Sequence, residues 1–246
     1  IHADGWSRKM SAKKAASADD QKKAAALEAL KLVKSGMNLG LGTGSTANHF
    51  IRALGEQVKQ GLDVKGVPTS KASGDLAKEL GITLTTLGEH PFLDLCVDGA
   101  DEFDPELRLI KGGGGALLIE KIVATSAKEV VIITDETKRV KMLGKFPLPI
   151  EVVSMGIKAT AWKIERVFRM LGMNPKMTLR AKDGQMFRTD MGNAIIDAAC
   201  GEIREPERLE LMLNNIPGVV NNGLFNGIAS RVIMATASGT QEIKAK

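Results

Sequence analysis

The sequence predicts an α/β fold with a Rossmann-like, mostly parallel sheet covered by helices on both faces, plus a smaller ferredoxin-like α+β domain. Two patterns predict the larger part: short apolar strands, and their regular alternation with helical segments. The smaller domain is predicted from two prolines, at positions 147 and 149, and from a different order of elements after them. With 246 residues, 43% of them hydrophobic, the chain is long enough to build cores of this size.

The elements of the larger domain are expected to alternate from about residue 20 to residue 134. An Ala-, Leu- and Lys-rich helix over 21–34 comes first, ahead of a short apolar strand. The expected strands cover 37–41, 64–67, 93–97, 107–110 and 130–134. The further expected helices cover 46–58, 71–80 and 117–127. Because parallel strands need a crossover, usually a helix, this alternation indicates a parallel sheet.

Residues 147–222 are expected to form the smaller domain. Its expected order is a strand (150–153), a helix (159–171), a strand (176–180), a turn at 183–184, further strands, a helix (207–214) and a last strand. The apolar run 232–235 is expected to return to the large sheet, so 19–146 and 223–246 would form the catalytic domain. Residues 1–18 show no periodicity and are expected to be a disordered tail or a cloning remnant.

Composition and charge argue against several functional classes. No apolar run approaches the ~20 residues of a membrane span, and no secretion signal opens the chain, so we expect neither membrane insertion nor secretion. Cys96 and Cys200 lie in apolar runs, which favours free thiols and a cytoplasmic location. Much of the net charge of +5 comes from basic residues near the start, including Lys22, and aromatic residues make up 4%. We therefore expect no nucleic-acid partner.

A glycine-rich motif covers 40–46 and is expected where a strand turns into a helix. Glycines at such a turn let backbone N–H groups converge, and the helix N-terminus adds partial positive charge, which suits a phosphate group. The candidate phosphate-binding residues are Thr43, Gly44, Ser45 and Thr46. Helix capping by Ser45 or Thr46 is one alternative. A loose dinucleotide fingerprint is another, but its acid, Asp63, precedes a strand instead of ending one.

An acidic cluster follows the predicted strand that ends at Val97. It consists of Asp98, Gly99, Ala100, Asp101 and Glu102. This position lies at the carboxyl edge of the sheet, where open α/β folds bind ligands and where the phosphate motif is also expected. An acidic, solvated turn is the alternative. The spacing is not that of a calcium loop and the three histidines are not clustered, so we expect no metal.

A third motif places Lys111 before four glycines, with Glu120 about one turn into the next predicted helix. Glycines allow a ligand to approach the backbone and offer N–H donors to a developing oxyanion, while Lys111 adds a positive charge. In this company Glu120 could act as a base, although on its own it would be interpreted as a helix-surface residue. Lys138 follows another predicted strand and could reach the same pocket; solvent exposure is the alternative.

Taken together, these motifs resemble the ribose-5-phosphate isomerase family of type A. The resemblance extends from about residue 21 onward and also rests on the segments 144–152 and 216–220. It implies interconversion of ribose 5-phosphate and ribulose 5-phosphate in the pentose phosphate pathway, without metal or organic cofactor. It also implies a homo-oligomer, with a dimer as the expected state.

The resemblance implies specific roles for the site residues, with Glu120 as the proton acceptor. The implied substrate contacts are Thr43, Gly44, Ser45, Thr46, Asp98, Gly99, Ala100, Asp101, Lys111, Gly112, Gly113, Gly114 and Lys138. The chemistry of an enediolate agrees with this set, because Lys111 and the glycine amides could hold its negative charge. Asp98 and Asp101 would orient hydroxyls and assist ring opening and proton transfer between oxygens. The expected catalytic residues are Glu120, Asp98, Asp101 and Lys111.

Two other functional classes remain open on the sequence. A coenzyme A transferase would use Glu120 as a nucleophile on a thioester, and an acyl-enzyme trapped there would favour it. A sugar-phosphate sensor of a transcription regulator would share the pocket without catalysis. Such a sensor needs a DNA-reading helix-turn-helix, whereas the N-terminal region shows one helical pattern.

Overall fold

The computed structural model describes residues 17–244. The helices of this range are α1 (Ala18–Leu30), α2 (Ser45–Lys59), α3 (Lys71–Glu79), α4 (Leu117–Thr125), α5 (Ile157–Met170) and α6 (Pro206–Asn214), and a 3₁₀ helix covers Glu136–Lys138. The strands are β1 (Asn38–Leu41), β2 (Lys65–Pro68), β3 (Thr83–Leu84), β4 (Leu95–Asp98), β5 (Glu102–Phe103), β6 (Leu109–Ile110), β7 (Val130–Asp135), β8 (Leu148–Val152), β9 (Lys176–Leu179), β10 (Ala181–Lys182), β11 (Gln185–Met186), β12 (Ala194–Ala199), β13 (Val219–Asn222), β14 (Leu224–Phe225), β15 (Arg231–Thr236) and β16 (Gly239–Lys244).

The larger sheet has seven strands in the order β16-β15-β7-β4-β1-β2-β3. Neighbouring strands run parallel, apart from β15 and β16, which form an antiparallel hairpin at one edge. The predicted mostly parallel sheet is confirmed, and the run 232–235 does return to it within β15. From β1 the order proceeds through β2 and β3 in one direction, and from β4 through β7 and β15 in the other. The carboxyl ends of β1 and β4 therefore flank a crevice at the topological switch point.

Both faces of this sheet are covered, as its continuous apolar strands require. On β7, Val131 and Ile133 pack with helices α1, α2 and α3, whereas Val130 and Ile132 pack with α4 on the opposite face. This alternation follows from the two-residue period of side chains along a strand. Both ends of the crevice are consequently built on an apolar, well-packed layer.

Strand β6 departs from the expectation that the run 107–110 joins the parallel sheet. It pairs antiparallel with β5 and β14 in a separate three-stranded sheet. The reason is the short, helix-free connection from β4 to β6, which is not a crossover that could return the chain to a parallel neighbour. The arrangement carries Lys111, the next residue, to Gly223, whose carbonyl accepts a hydrogen bond from the Lys111 N–H at 2.9 Å.

A second sheet has four antiparallel strands in the order β13-β8-β12-β9. Along the chain this unit runs β8, α5, β9, β12, α6 and β13, which is the ferredoxin-like order. Its core includes Ile164 and Phe168 of α5 and Leu209 of α6, all packed on the sheet. The hairpin β10-β11 is inserted between β9 and β12, and it turns at Asp183 and Gly184, which have φ angles of +53° and +76°.

Two local expectations near the ends of these units are wrong. The two prolines were expected to interrupt any regular element, but only Pro147 lies outside a strand: Pro149 lies inside β8, paired with Asp197, and its carbonyl accepts a hydrogen bond from the Gly223 N–H. Helix α1 begins at Ala18, because Ser17 caps it: the Ser17 hydroxyl accepts from the Asp20 N–H, and the Asp20 carboxylate accepts from the Ser17 N–H. The predicted tail therefore extends two residues too far.

The remainder of the predicted tail, 1–16, lies outside the described residues. The exact domain boundaries at 146/147 and 222/223 stay a prediction. Both cysteines are free thiols as expected, with Cys96 buried and Cys200 half-buried. Within 17–244, none of the helices combines the length and apolar character that crossing a bilayer demands.

Candidate active site

The candidate site is a cleft of about 120 Å³ at the switch point between β1 and β4. The turn after β1 and the loop after β4 form two of its walls, and the four-glycine turn before α4 forms a third. The cleft is lined by Lys22, Thr43, Gly44, Ser45, Thr46, Gly99, Ala100, Asp101, Lys111, Gly112, Gly113, Gly114, Glu120 and Lys138. The first two motifs meet because β1 and β4 are parallel and end at one edge of the sheet, and the antiparallel strand β6 brings the third motif to the same edge.

At one end of the cleft, helix α2 begins with uncapped N–H groups. Gly44 is its N-cap residue with a φ of +106°, and no side chain accepts a hydrogen bond from the first turn. The alternative that Ser45 or Thr46 caps this helix is therefore wrong. Orphan amides at a helix N-terminus carry partial positive charge and bind anions. This end of the cleft can accept a phosphate group.

Two lysines flank this helix terminus. Lys138 lies in the 3₁₀ helix that follows β7, and Lys22 projects from α1, with its Nζ donating to the Ser45 Oγ at 3.1 Å. The first turn of α1 is tied to the same place, because the Gln21 side-chain amide donates to Glu136 at 2.9 Å. Sequence reasoning treated Lys22 as part of a solvated basic segment. No motif marks it, because its partner lies 23 positions away on another element.

Asp98 is buried behind the wall of the cleft and connects its two ends. Its Oδ1 accepts hydrogen bonds from the Thr43 N–H at 3.0 Å and from the Gly99 N–H at 2.7 Å. Gly42 permits this approach, since a Cβ at that position would overlap the Asp98 carboxylate. Asp98 is not among the residues that line the cleft, although it contacts two of them, Thr43 and Lys111; that Asp98 contacts the substrate stays a prediction.

At the other end of the cleft, Lys111 lies between two buried carboxylates. Its Nζ is 3.0 Å from Asp98 Oδ2 and 3.3 Å from Glu120 Oε1, and it donates to the Gly99 carbonyl at 2.6 Å. The side chains of all three ionisable residues are at most 6% exposed. Glu120 Oε2 is buried and has no hydrogen-bond partner among residues 17–244. Glu120, a residue that lines the cleft, therefore has one carboxylate oxygen without a hydrogen-bond partner in this part of the chain, and Asp98 Oδ2 is in the same condition.

Burial and neighbouring charges set the protonation of this cluster. Burial, the largest cause, raises the pKa of Glu120; Lys111 opposes the shift, the negative charges of Asp98 and Asp101 add to it, and the net pKa is about 8. Burial lowers the pKa of Lys111, but the carboxylates of Asp98 and Glu120 outweigh it, so the net shift is upward. Glu120 is thus a stronger base than an ordinary glutamate, held beside a lysine that stays charged.

The four-glycine turn depends on glycine at several positions. Gly112 and Gly115 have φ angles of +102° and +82°, which side chains rarely adopt. A Cβ at Gly115 would overlap the ring of Phe187, and one at Gly113 would lie 2.7 Å from Asp101 Oδ1. The Gly113 N–H donates to Asp101 Oδ2 at 2.8 Å. The turn therefore brings backbone donors close to the acidic loop after β4.

All the predicted substrate contacts line the cleft except Asp98, which lies against Thr43 and Lys111, and Lys22 lines it as well; their contacts with a substrate stay a prediction. Within 17–244, no three Asp, Glu, His or Cys side chains are arranged to share a metal ion. The absence of a metal or organic cofactor in the working protein stays a prediction. The geometry combines an uncapped helix N-terminus at one end with a buried carboxylate, a buried cation and the backbone N–H groups of the glycine turn at the other.

Comparison with known proteins gives consistent results. The profile of the family described as ribose 5-phosphate isomerase A (phosphoriboisomerase A) matches residues 65–239. A ribose-5-phosphate isomerase A from Parvibaculum lavamentivorans is 58% identical over 229 residues, covering 93% of this chain and 99% of the relative.

Two solved structures are similar over the same extent. A D-ribose-5-phosphate isomerase in complex with phospho-erythronic acid has a TM-score of 0.88 and 42% identity, covering 93% of this chain and 99% of the other. The ribose 5-phosphate isomerase A of Methanocaldococcus jannaschii has a TM-score of 0.84 and 43% identity, covering 93% of this chain and 100% of the other.

Proposed function

The chain belongs to the ribose 5-phosphate isomerase A family, and on this premise we propose how its cleft binds the substrate and moves a proton. The protein is an aldose-ketose isomerase that interconverts ribose 5-phosphate and ribulose 5-phosphate in the pentose phosphate pathway. The coenzyme A transferase and sensor hypotheses are set aside by this membership. The residues of the cleft divide three tasks among them: phosphate binding, proton transfer and stabilisation of the negative charge.

The substrate phosphate binds at the N-terminus of α2. The backbone N–H groups of Ser45 and Thr46 donate to it, and Lys22 and Lys138 supply positive charge on either side. This end of the sugar does not react. Its binding free energy instead fixes the position of C1 and C2 at the opposite end of the cleft, beside Glu120.

Glu120 is the base that transfers the carbon-bound proton. In the aldose-to-ketose direction, Glu120 Oε2 takes the proton from C2, the C2–H electron pair forms the C1–C2 double bond, and the carbonyl electrons move to O1. The resulting enediolate takes the same proton back from Glu120 at C1, while the O2 proton moves to O1 and C2 becomes the ketone. Glu120 ends the cycle ionised, as it began.

Lys111 stabilises the negative charge both before and after this transfer, first on Glu120 and then on the enediolate. In the free protein its ammonium group is held by Asp98, Glu120 and the Gly99 carbonyl. When Glu120 accepts the proton it becomes neutral, its hold on the ammonium weakens, and the negative charge appears on the enediolate oxygen. An N–H of Lys111 can then donate to that oxygen, together with the Gly114 N–H and, once it leaves Asp101, the Gly113 N–H.

The two aspartates have different roles. Asp101 lines the cleft, so its carboxylate can orient a sugar hydroxyl, assist ring opening and carry the proton between O2 and O1. Asp98 is buried and acts on Lys111 and on the turn after β1, so we assign it to positioning and charge balance. This changes the role expected from the sequence.

The observation that carries the proposal is the buried Glu120 carboxylate, with one oxygen unpartnered among the described residues, in the same cleft as an uncapped helix terminus. The relative solved with phospho-erythronic acid supports it. That ligand has an acid group at one end and a phosphate at the other, and the enediolate intermediate likewise carries a negative oxygen at the end opposite its phosphate.

The experiment that tests the proposal is Glu120→Gln, which keeps the size of the side chain and removes the base. We expect kcat to fall about 10³-fold or more, because loss of a general base typically lowers the rate about 10²- to 10⁴-fold. The Kd for ribose 5-phosphate should change little. In D₂O, the variant should lose exchange of solvent deuterium into the sugar. Glu56→Gln, at an exposed site on α2, is the matched control. A Glu120→Gln variant with near-normal turnover would remove Glu120 from its role.

We also propose that the protein is a cytoplasmic homodimer, as the family resemblance implies. Its two cysteines are unpaired, which agrees with a reducing compartment. Ile122 on α4 and Leu211 on α6 are 47% and 64% exposed, and their neighbours Lys121 and Glu210 form an ion pair, so the two apolar side chains lie on adjoining helices. Light scattering should give twice the chain mass of 26.3 kDa; a mass of one chain would contradict the dimer.

A further inference from the structure

A guanidinium group from the ferredoxin-like unit contacts the outer side of the four-glycine turn. Arg180 lies between β9 and β10, and its Nη1 donates to the Gly112 carbonyl at 2.8 Å and to the Gly113 carbonyl at 3.2 Å. The turn itself supplies a further bond, from the Gly115 N–H to the Gly112 carbonyl at 3.0 Å. Two consecutive carbonyl groups of the turn are thus fixed by one side chain that is remote in sequence.

The planarity of the peptide bond transmits this contact to the cleft. In a trans peptide the C=O and the following N–H point in opposite directions, and the described residues contain no cis peptide bond. Holding the Gly112 carbonyl outward therefore turns the Gly113 N–H inward, where it donates to Asp101. Holding the Gly113 carbonyl does the same for the Gly114 N–H, which has no hydrogen-bond partner within residues 17–244.

Arg180 is itself held in place from behind. Its Nε and Nη2 donate to the two carboxylate oxygens of Asp197 on β12, at 2.8 and 2.5 Å. Its guanidinium carbon lies 5.8 Å from the centre of the Phe187 ring, and that ring fills the space that a side chain at position 115 would need. The Arg180 side chain is 14% exposed. The planar fork of arginine makes both sets of bonds at once, which a lysine ammonium cannot do.

This matters because glycine has few conformational restraints. A turn of four glycines samples many backbone conformations, and amides that rotate freely are poor stabilisers of a developing charge. Catalysis by backbone donors requires that they are oriented before the charge forms. Within the turn, the internal bond to Gly115 holds one carbonyl, and the contacts with Arg180 hold two.

We infer that Arg180 is a positioning residue for the isomerisation, and that Asp197 orients it. It fixes the peptide planes of the glycine turn so that the Gly113 and Gly114 N–H groups point into the cleft where the enediolate oxygen forms. The inference rests on the proposed function, in which these amides share the charge with Lys111. It also makes the ferredoxin-like unit a part of the catalytic apparatus.

The test is Arg180→Lys, assayed with ribose 5-phosphate. We expect kcat to fall about 10- to 100-fold, somewhat less than the loss of a direct oxyanion donor, while KM changes by less than about threefold. Affinity for phospho-erythronic acid should fall with kcat/KM, whereas affinity for inorganic phosphate should stay the same. Asp197→Asn should show the same pattern with a smaller decrease in kcat, and it serves as the second variant if Arg180→Lys folds poorly.

The matched control is Arg188→Lys. Arg188 belongs to the same unit and also donates to a backbone carbonyl, that of Gly192, and to the Ser154 hydroxyl, but it makes no contact with the glycine turn. Its kcat should equal that of the unaltered protein. Denaturant unfolding of both variants reports any loss of stability separately from kcat.

Three results would overturn the inference: a kcat within twofold of the unaltered value in Arg180→Lys, an equal loss in Arg188→Lys, or a parallel loss of phosphate affinity. Glu120→Gln in the same assay separates this from the proposed function. If Glu120→Gln is inactive and Arg180→Lys is normal, the role of Arg180 fails while the role of Glu120 stands. If Glu120→Gln remains active, the proposed function itself fails.

Discussion

In the proposed function, the two ends of the cleft recognise negative charge in different ways. The phosphate end is half-open: Gly44 and Ser45 are exposed, and Lys22 and Lys138 are partly so. The carboxylate end is closed, with Asp98, Lys111 and Glu120 all buried. The first end uses several independent donors that water can replace, whereas the second uses one lysine that balances two carboxylates.

This difference indicates that the open end mainly determines substrate affinity, whereas the closed end mainly determines the reaction rate. An exposed site binds an anion through several weak interactions, and no single donor is indispensable. In a buried charged cluster each member sets the protonation of the others, so removal of one leaves the rest uncompensated. Substitutions at the closed end should therefore reduce kcat and stability, and those at the open end should raise KM.

The largest effect is expected for Lys111→Met, which leaves two buried carboxylates without their cation. Unfolding free energy should fall by about 3–5 kcal/mol and kcat by at least about 100-fold. Urea unfolding and steady-state kinetics measure the two. Lys22→Met is the control from the open end, where stability should change by less than about 1 kcal/mol. Equal losses of stability in both variants would mean that the two ends do not differ in this way.

The next effect is expected at the phosphate end, for Ser45→Ala combined with Thr46→Ala. The Ser45 and Thr46 hydroxyls can donate to the phosphate beside their backbone N–H groups, so losing both should raise the KM for ribose 5-phosphate about 10- to 100-fold, with a smaller change in kcat. Residual turnover of unphosphorylated ribose should not change, because it does not use this end. If the unaltered protein converts ribose as efficiently as ribose 5-phosphate, the assignment of the phosphate site is wrong.

The pH dependence tests the closed end directly. Because Glu120 must be ionised to accept a proton and its pKa is raised to about 8, kcat/KM should decrease as the pH falls from about 9 to 6. In Asp98→Asn the midpoint should move to lower pH, since a negative charge that raises the pKa of Glu120 is gone. The second pKa of the substrate phosphate, about 6, would not move between the two proteins. If the midpoint does not move, the decrease in kcat/KM at low pH reports ionisation of the substrate phosphate and not of Glu120.

The smallest effect is expected on substrate binding in Lys22→Met. Its ammonium is partly exposed, so KM should rise only about three- to tenfold at low salt, and the difference from the unaltered protein should shrink above about 0.5 M salt. Kinetics at two ionic strengths measure this. Lys23→Met, one residue along on the exposed face of α1, should show no such salt-dependent difference. A decrease in kcat for Lys22→Met at all salt concentrations would place this lysine in the chemistry.

Much of the site could be predicted because its motifs are local. Each glycine turn or acidic loop follows a short apolar strand, and parallel strands end at one edge of a sheet, so motifs 55 or more residues apart were expected to meet. Thr43 and Asp98 illustrate this, with their hydrogen bond across 55 positions. The function was expected from the resemblance of these motifs to the ribose-5-phosphate isomerase family of type A, and the chemistry of an enediolate agreed with it.

The sequence by itself determined the alternation of strands and helices, the ferredoxin-like insertion and the residues at the strand ends. Only the tertiary structure decided that Lys22 reaches the phosphate end, that Asp98 points behind the wall, that β6 leaves the main sheet and that Arg180 contacts the glycine turn. Periodicity reports the local conformation of a segment and the face it buries. It carries no information about which distant side chain will meet that segment, because such contacts depend on how whole elements and domains pack.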